Sequence, residues 1–335
     1  MASVWQRHPR YSITVFVIIL VTLFLLGPYH TPGGLEGPYV YGTMGDHDLP
    51  ARVARAVRIY DKVLRDRAGL IRKFGPTPND VAMFPPDRDP WPAYTVWDFF
   101  PAAFNCPHEV ERIGALGDGG KWVCGMSRVV EKPDCVVYSV GINYESSFEA
   151  DILSRTRHCE IWGYDFTVKS FGPQIDRAHK HRTHFHPYGL SGVDAHGPED
   201  ASPMYTLGSL MKMNGHKHID ILKIDIESWE FDTLTTLVKS YLAAEEPLPF
   251  GQLQLEIHIW HKKFPEFLTW WETLEEAGLR PFMTEPNLVY QNYNKHSTSD
   301  LAEYSFINVK GNNIFIADPA PPHPHADEPD HPSHH

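Results

Sequence analysis

The stretch ILKIDIESWEF, residues 221–231, runs as an apolar, Ile-rich segment into two acids two residues apart, Asp225 and Glu227. It then passes through an aromatic into a helical pattern. Apolar runs of four to eight residues are the mark of a strand buried on both faces, and such strands belong to parallel sheets covered by helices. Carboxylates at the open end of a buried strand are costly unless something occupies them, because charge removed from water needs a partner.

Four further segments read as strands of the same kind: 135–142 (CVVYSVGI), 160–166 (EIWGYDF), 184–188 and 252–259 (QLQLEIHI). Helical stretches fall between them. Residues 207–213 precede the fourth strand, and apolar stripes led by Phe231 and Phe264 follow the fourth and fifth. Segments 279–284 and 303–310 (EYSFINVK) read as a closing hairpin-like pair separated by a polar loop. Alternating strands and helices predict a mostly parallel α/β sheet with helices on both faces. Ligands of such sheets bind outside the carboxyl ends of the strands, at the switch point.

Three strand ends carry the candidate chemistry. The first is followed by Gly141 and Asn143, and a glycine there allows backbone to approach a ligand. Only one of the three glycines of G-x-G-x-x-G is present, so the dinucleotide fingerprint is not met. The second ends in Asp165-Phe166, 24 residues beyond Gly141, where a carboxylate can take a ribose diol or simply cap a turn. The fourth ends in Asp225 and Glu227, expected on one strand face because residues i and i+2 point the same way. The fifth ends in Glu256 and His258, again two apart. Such a set suits either a divalent metal with oxygen and imidazole ligands, drawn from Asp225, Glu227 and His258, or proton handling beside an acceptor. A Gly-rich segment, 114–124 (GALGDGGKWVC), holds Asp118 and Gly119. It can curl over a cofactor or form a tight hairpin turn.

A net charge of −12 argues against general nucleic-acid binding, which needs a basic footprint. Residues 12–26 (SITVFVIILVTLFLL) are uncharged, with Arg7 and Arg10 before them and only acids shortly after. This predicts a signal anchor over 11–27, a cytosolic tail over 1–10 and a lumenal remainder, that is, a type II membrane protein of the Golgi or endoplasmic reticulum. A stem spans 28–50, an amphipathic helix and Pro-rich wrap 51–107, the main domain 108–317, and a polar tail 318–335. The helix over 51–74 either docks on the domain or faces lipid or a partner. Cys106, Cys124, Cys135 and Cys159 lie beyond the anchor, where disulfides persist. Without C-x-x-C a zinc site of that kind is absent. The favoured pairing is Cys106–Cys124 and Cys135–Cys159, the latter two at the entries of neighbouring strands; four free buried thiols are the alternative.

Together, RIGALGDGGKWVCG, CVVYSVGINYESSFEADI, WGYDFT, LKIDIESWEFDTL and QLQLEIH resemble, over residues 100–310, the lumenal methyltransferase-like family related to FkbM-type S-adenosylmethionine methyltransferases. The resemblance implies a class I methyltransferase fold, a seven-stranded sheet with an antiparallel last strand. It implies S-adenosylmethionine as cofactor, with Gly141 at its methionine moiety, Asp165 at its ribose and Asp225 with Glu227 at the transfer centre. The candidate cofactor-binding set is thus Gly141, Asn143, Asp165, Phe166, Asp118 and Gly119, and the candidate catalytic set Asp225, Glu227, Glu256 and His258. Ser228 stands where relatives often have glycine. The leading reading is O-methylation of a secretory-pathway acceptor, a glycan, lipid or small molecule. A Golgi glycosyltransferase using Asp225-Ile226-Glu227 as a D-x-E metal site and a non-catalytic membrane-tethered scaffold are the alternatives.

Overall fold

The computed structural model describes residues 48–86, 93–293 and 299–318. The anchor expected over 11–27, most of the stem and nearly all of the tail lie outside them. Among the described residues no helix is long and apolar enough to cross a membrane.

The seven strands of the main sheet form where the apolar runs predict them, and two small two-stranded pairs add to them. A hairpin of β1 (Val110–Ile113) and β2 (Lys121–Cys124) comes first. Then follow β3 (Val136–Val140), β4 (Glu160–Tyr164), β5 (Thr183–His186), the two-residue β6 (Gly189–Leu190) and β7 (Met204–Tyr205), and β8 (Ile219–Ile224). The chain closes with β9 (Phe250–His258), β10 (Leu279–Pro286) and β11 (Leu301–Asn308). The helices are α1 (Leu49–Phe74), α2 (Met126–Glu131), α3 (Ser147–Arg155), α4 (Leu207–Asn214), α5 (Glu230–Ala243), α6 (Phe264–Glu276) and α7 (Leu288–Tyr293).

Seven strands make one mixed sheet in the order β10-β11-β9-β8-β3-β4-β5. The run β9-β8-β3-β4-β5 pairs in parallel, and β11 alone runs against both its neighbours. β8 and β9 are buried along their whole length, as expected of strands covered on both faces. From β3 the chain moves outward through β4 to β5, then crosses back to β8 on the other side of β3. That reversal is the switch point, and it sets Gly141, Asp165 and Asp225 around one opening.

Both disulfides form with the favoured pairing, Cys106–Cys124 and Cys135–Cys159. The second joins the entries of β3 and β4, where the Glu160 amide also donates to the Cys135 carbonyl at 3.0 Å.

α1 docks on the domain, and its buried face is not wholly apolar. Leu64 is exposed, whereas Arg67 is buried. Arg67 donates through both terminal nitrogens to Glu275 of α6, at 2.8 and 2.7 Å, and through Nε to the Phe99 carbonyl at 2.8 Å. Tyr60 and Trp271 donate to the same carboxylate. A guanidinium is tolerated in a core when its fork meets a carboxylate edge on, and Glu275 supplies that edge.

Candidate active site

A cavity of about 740 Å³ opens at the carboxyl edge of the sheet, lined from the ends of β3, β4 and β8 and from residues 188–204. Gly141 sits at its base with φ +81°. A Cβ there would lie 1.9 Å from the carbonyl oxygen of Asp225, so only glycine lets β3 and β8 end this close together. The Gly141 amide donates to the Tyr164 carbonyl at 3.0 Å, and its own carbonyl accepts from Lys223 Nζ at 2.8 Å. Asn143 and Tyr144 follow with positive φ, 42° and 60°, Asn143 standing where the glycine-rich fingerprint would place its second glycine.

Asp165 organises this loop. Its Oδ2 accepts from the amides of Ile142 at 2.8 Å and Asn143 at 2.9 Å, and its Oδ1 from the amide and hydroxyl of Thr167 at 2.7 and 2.6 Å. Burial works to raise its pKa, but these four donors outweigh it and hold the carboxyl below its ordinary value. Four donors occupy the four lone-pair positions of a carboxylate. A ribose diol therefore meets Asp165 only after the Thr167 hydroxyl turns away, and the role visible in the structure is to hold the β3 loop.

β8 stops at Ile224, one residue short of the acids. Asp225 and Glu227 therefore do not share a pleat, as the i, i+2 argument supposed. A left-handed turn with Glu227 at φ 51° and Ser228 at φ 75° brings them together instead. One ligand atom each from Asp225, Glu227 and His258 lies within 4.8 Å of the others. His258, at the end of β9, is 1% exposed. Its amide donates to Glu230 Oε1 at 2.7 Å, and its Nδ1 stands 3.3 Å from the same oxygen. Nε2 points to Glu227 Oε2 at 3.5 Å. Burial alone would lower the imidazole pKa, but the Glu230 hydrogen bond and the charges of Glu230, Asp225 and Glu227 lift it above its usual value. Glu227 is also raised, first by partial burial and then by Asp225, Glu230 and Asp118, with His258 acting the other way.

Behind this trio lies a second layer. Glu256 on β9 faces Glu303 on β11 directly across the ladder. Lys121 of β2 reaches Glu303, and Asn287 Nδ2 bridges Glu256 Oε1 at 3.0 Å and Asp118 Oδ1 at 2.7 Å. Burial, and then the neighbouring Glu303 and Asp225, push the Glu256 pKa far above the carboxylate range, with Lys121 opposing. The Glu303 pKa also rises, again chiefly by burial. The folded protein thus keeps a proton that the unfolded chain releases above the ordinary glutamate pKa, near about 4.3. Its stabilising effect is complete at low pH and is lost as the pH climbs toward the folded pKa, by at most about 1.4 kcal/mol per pH unit per proton. Glu256→Gln, which carries its hydrogens permanently, is expected to flatten the fall of Tm between pH 5 and 8. An unchanged slope would place the proton elsewhere.

Of the expected cofactor set, Gly141, Asn143, Asp165 and Phe166 line the cavity, together with Asp225 and Glu227. Asp118 and Gly119 do not. They sit on the β1–β2 turn, Asp118 against Asn287 and Gly119 against the carboxylate of Glu145. Glu256 and His258 stand behind the Asp225–Glu227 wall. Sequence reading assigned no role to Glu230, Lys121, Asn287, Thr167 or Glu303. Glu230 and Lys121 were visible inside the quoted motifs, but their partners arrive from distant strands. The rim is apolar. Three of the exposed large hydrophobic side chains among the described residues, Phe166, Val193 and Trp229, line it.

A sheet with this order and one reversed strand, opening at β3 on a cavity walled by acids and aromatics, defines a methyltransferase-type domain. A family model described as a methyltransferase domain matches residues 80–307, more than half of the chain, and the chain belongs to that family. It is similar to the probable methyltransferase-like protein 24 of Rattus norvegicus, 29% identical over 143 residues that cover 40% of this chain and 36% of that protein. The Homo sapiens protein of the same description is 28% identical over 139 residues, covering 40% and 35%. The chain thus spans little more than a third of the length of these curated relatives. Among solved structures, the methyltransferase FkbM from Methylobacillus flagellatus KT is 15% identical with a TM-score of 0.30, over 52% of this chain and 44% of that one.

The family implies S-adenosylmethionine as cofactor, and the residues present fit it. The cavity volume lies in the range of small-molecule sites. Its wall joins aromatic faces at Phe166, Tyr188 and Trp229 to the carboxylate of Asp225 and the close-approach turn at Gly141. Membership of this family sets aside the sugar-nucleotide transferase reading of Asp225-Ile226-Glu227.

Proposed function

We propose that the protein transfers a methyl group from S-adenosylmethionine to a hydroxyl of an acceptor with an apolar body, a lipid or lipid-linked molecule of the secretory pathway. The observation that carries the reading is the placement of Asp225 and Glu227 in the wall of the same cavity as the Gly141 turn. The apolar rim supports the acceptor class, since exposed patches of this kind mark binding surfaces. The two disulfides and the uncharged segment 12–26 support a lumenal domain on a type II anchor in the Golgi or endoplasmic reticulum.

When bound, S-adenosylmethionine supplies an electrophilic methyl carbon. Gly141, Asn143 and Phe166 would hold it, with Asp165 fixing the loop. Glu227 is the group that takes the acceptor proton. It faces the cavity, and its raised pKa makes it a stronger base than an ordinary carboxylate. His258 stands behind Glu227, its Nε2 3.5 Å from Glu227 Oε2, and is fixed in place by Glu230.

Calorimetry of the full chain with S-adenosylhomocysteine tests the reading. One site is expected, weakened at least tenfold, about 1.4 kcal/mol, in Asp165→Ala, because the β3 loop loses its anchor. A native chain that binds neither S-adenosylmethionine nor its product would sink the proposal and point to a scaffold.

A further inference from the structure

We infer that Asp225, Glu227 and His258 form a site for a divalent first-row cation such as Mn²⁺ in the wall of the cavity. Their ligand atoms lie within 4.8 Å of one another. An ion bound at about 2.0–2.2 Å to each donor needs separations of up to about 4.3 Å, a closure that side-chain rotation supplies.

The buried histidine is the second, independent observation. Its Nε2 stands 3.5 Å from Glu227 Oε2 and 3.9 Å from Glu256 Oε1, too far for an N–H···O hydrogen bond, although the side chain is only 2% exposed. Its other nitrogen is held by Glu230, whose Oε2 is itself buried and unpaired. A carboxylate that fixes Nδ1 and aims Nε2 at two further carboxylates is the supporting arrangement seen behind metal-bound histidines.

Local charge points the same way. Asp118, Asp225, Glu227 and Glu230 gather here, while behind them Lys121 is paired with Glu303. Two carboxylates and one imidazole suit an ion of intermediate hardness.

Asp225 and Glu227 line the cavity and His258 does not, so the open coordination positions would face the cavity. The role of the ion rests on the methyltransferase reading: it would receive the acceptor oxygen on that open side. A carboxylate that gives one oxygen to an ion keeps the other for the acceptor proton, so Glu227 serves both purposes.

The test is titration of the full chain with MnCl₂, reading free Mn²⁺ by its electron paramagnetic resonance signal. One ion per chain is expected, with affinity at least tenfold weaker in Glu227→Gln and in His258→Gln. Glu227 is exposed, so its variant stays informative even if the buried His258 variant fails to fold, which thermal melting would reveal. Absence of binding overturns the site. Binding unchanged in Glu227→Gln also overturns it and assigns the ion to the histidines of residues 323–335. S-adenosylhomocysteine binding measured in chelator separates the two readings: retained without any Mn²⁺ site, the methyltransferase reading stands and the ion site falls. Mn²⁺ binding without product binding leaves the ion site and removes the methyltransferase role.

Discussion

Glu275→Leu is expected to cost about 3–5 kcal/mol of stability, because it strands a buried guanidinium. Arg67 is 4% exposed and gives Glu275 two hydrogen bonds, while Tyr60 and Trp271 lose the same acceptor. At about 2–4 °C per kcal/mol for a domain of this size, the melting temperature should fall by on the order of 10 °C. The double variant Arg67→Met/Glu275→Leu should regain most of the loss, since replacing a whole buried ion pair by apolar groups is close to neutral. If the double variant melts no higher than the single one, the guanidinium is not the source of the penalty. The knot joins α1 to α6 far from the cavity, so product affinity at 20 °C should not change in variants that remain folded.

Gly141→Ala is expected to abolish cofactor binding, by at least about 100-fold or 2.7 kcal/mol. Its Cβ would stand 1.9 Å from the Asp225 carbonyl, and its φ of +81° adds the left-handed penalty of about 1–2 kcal/mol for an L-residue. Relief requires β3 and β8 to part where Gly141, Asp165 and Asp225 meet, which is the geometry that the cavity depends on. Gly208→Ala on α4 is the control. Nothing lies within 4 Å of its Cβ position, and a helical glycine replaced by alanine should gain up to about 1 kcal/mol. Calorimetry on both variants decides: a Gly141→Ala chain that binds product normally would show that the turn does not shape the site.

The two variants sample different degrees of legibility. Gly141 could be found from sequence because a glycine directly after an apolar strand has a local meaning, close approach of backbone. Asp165 was found the same way, but its function shifted. Its position after the second strand was legible, whereas the four donors that fill its carboxylate come from two loops folded against each other. Nothing in the sequence marks Arg67 for burial, because helical periodicity treats every guanidinium as exposed. Only the arrival of Glu275, 208 residues away, makes its burial tolerable. The Asp225–Glu227 pair was correctly joined for an incorrect reason, since a left-handed turn at Glu227 and Ser228 replaces the strand pleat. No residue-level rule marks a non-glycine pair for that conformation.

From its sequence alone this chain determined which segments are strands, their mostly parallel arrangement, the edge where ligands bind and the acids that stand there, because hydrophobic periodicity and strand-end position are local properties. Only the tertiary structure decided which of those acids face the cavity and which carry a proton behind it. Glu256 is set against Glu303 by the antiparallel register of β9 and β11, and His258 is aimed by Glu230 from the start of α5. Pairing, burial and the electric field that follows from them are properties of distance in space, which no spacing along the chain encodes.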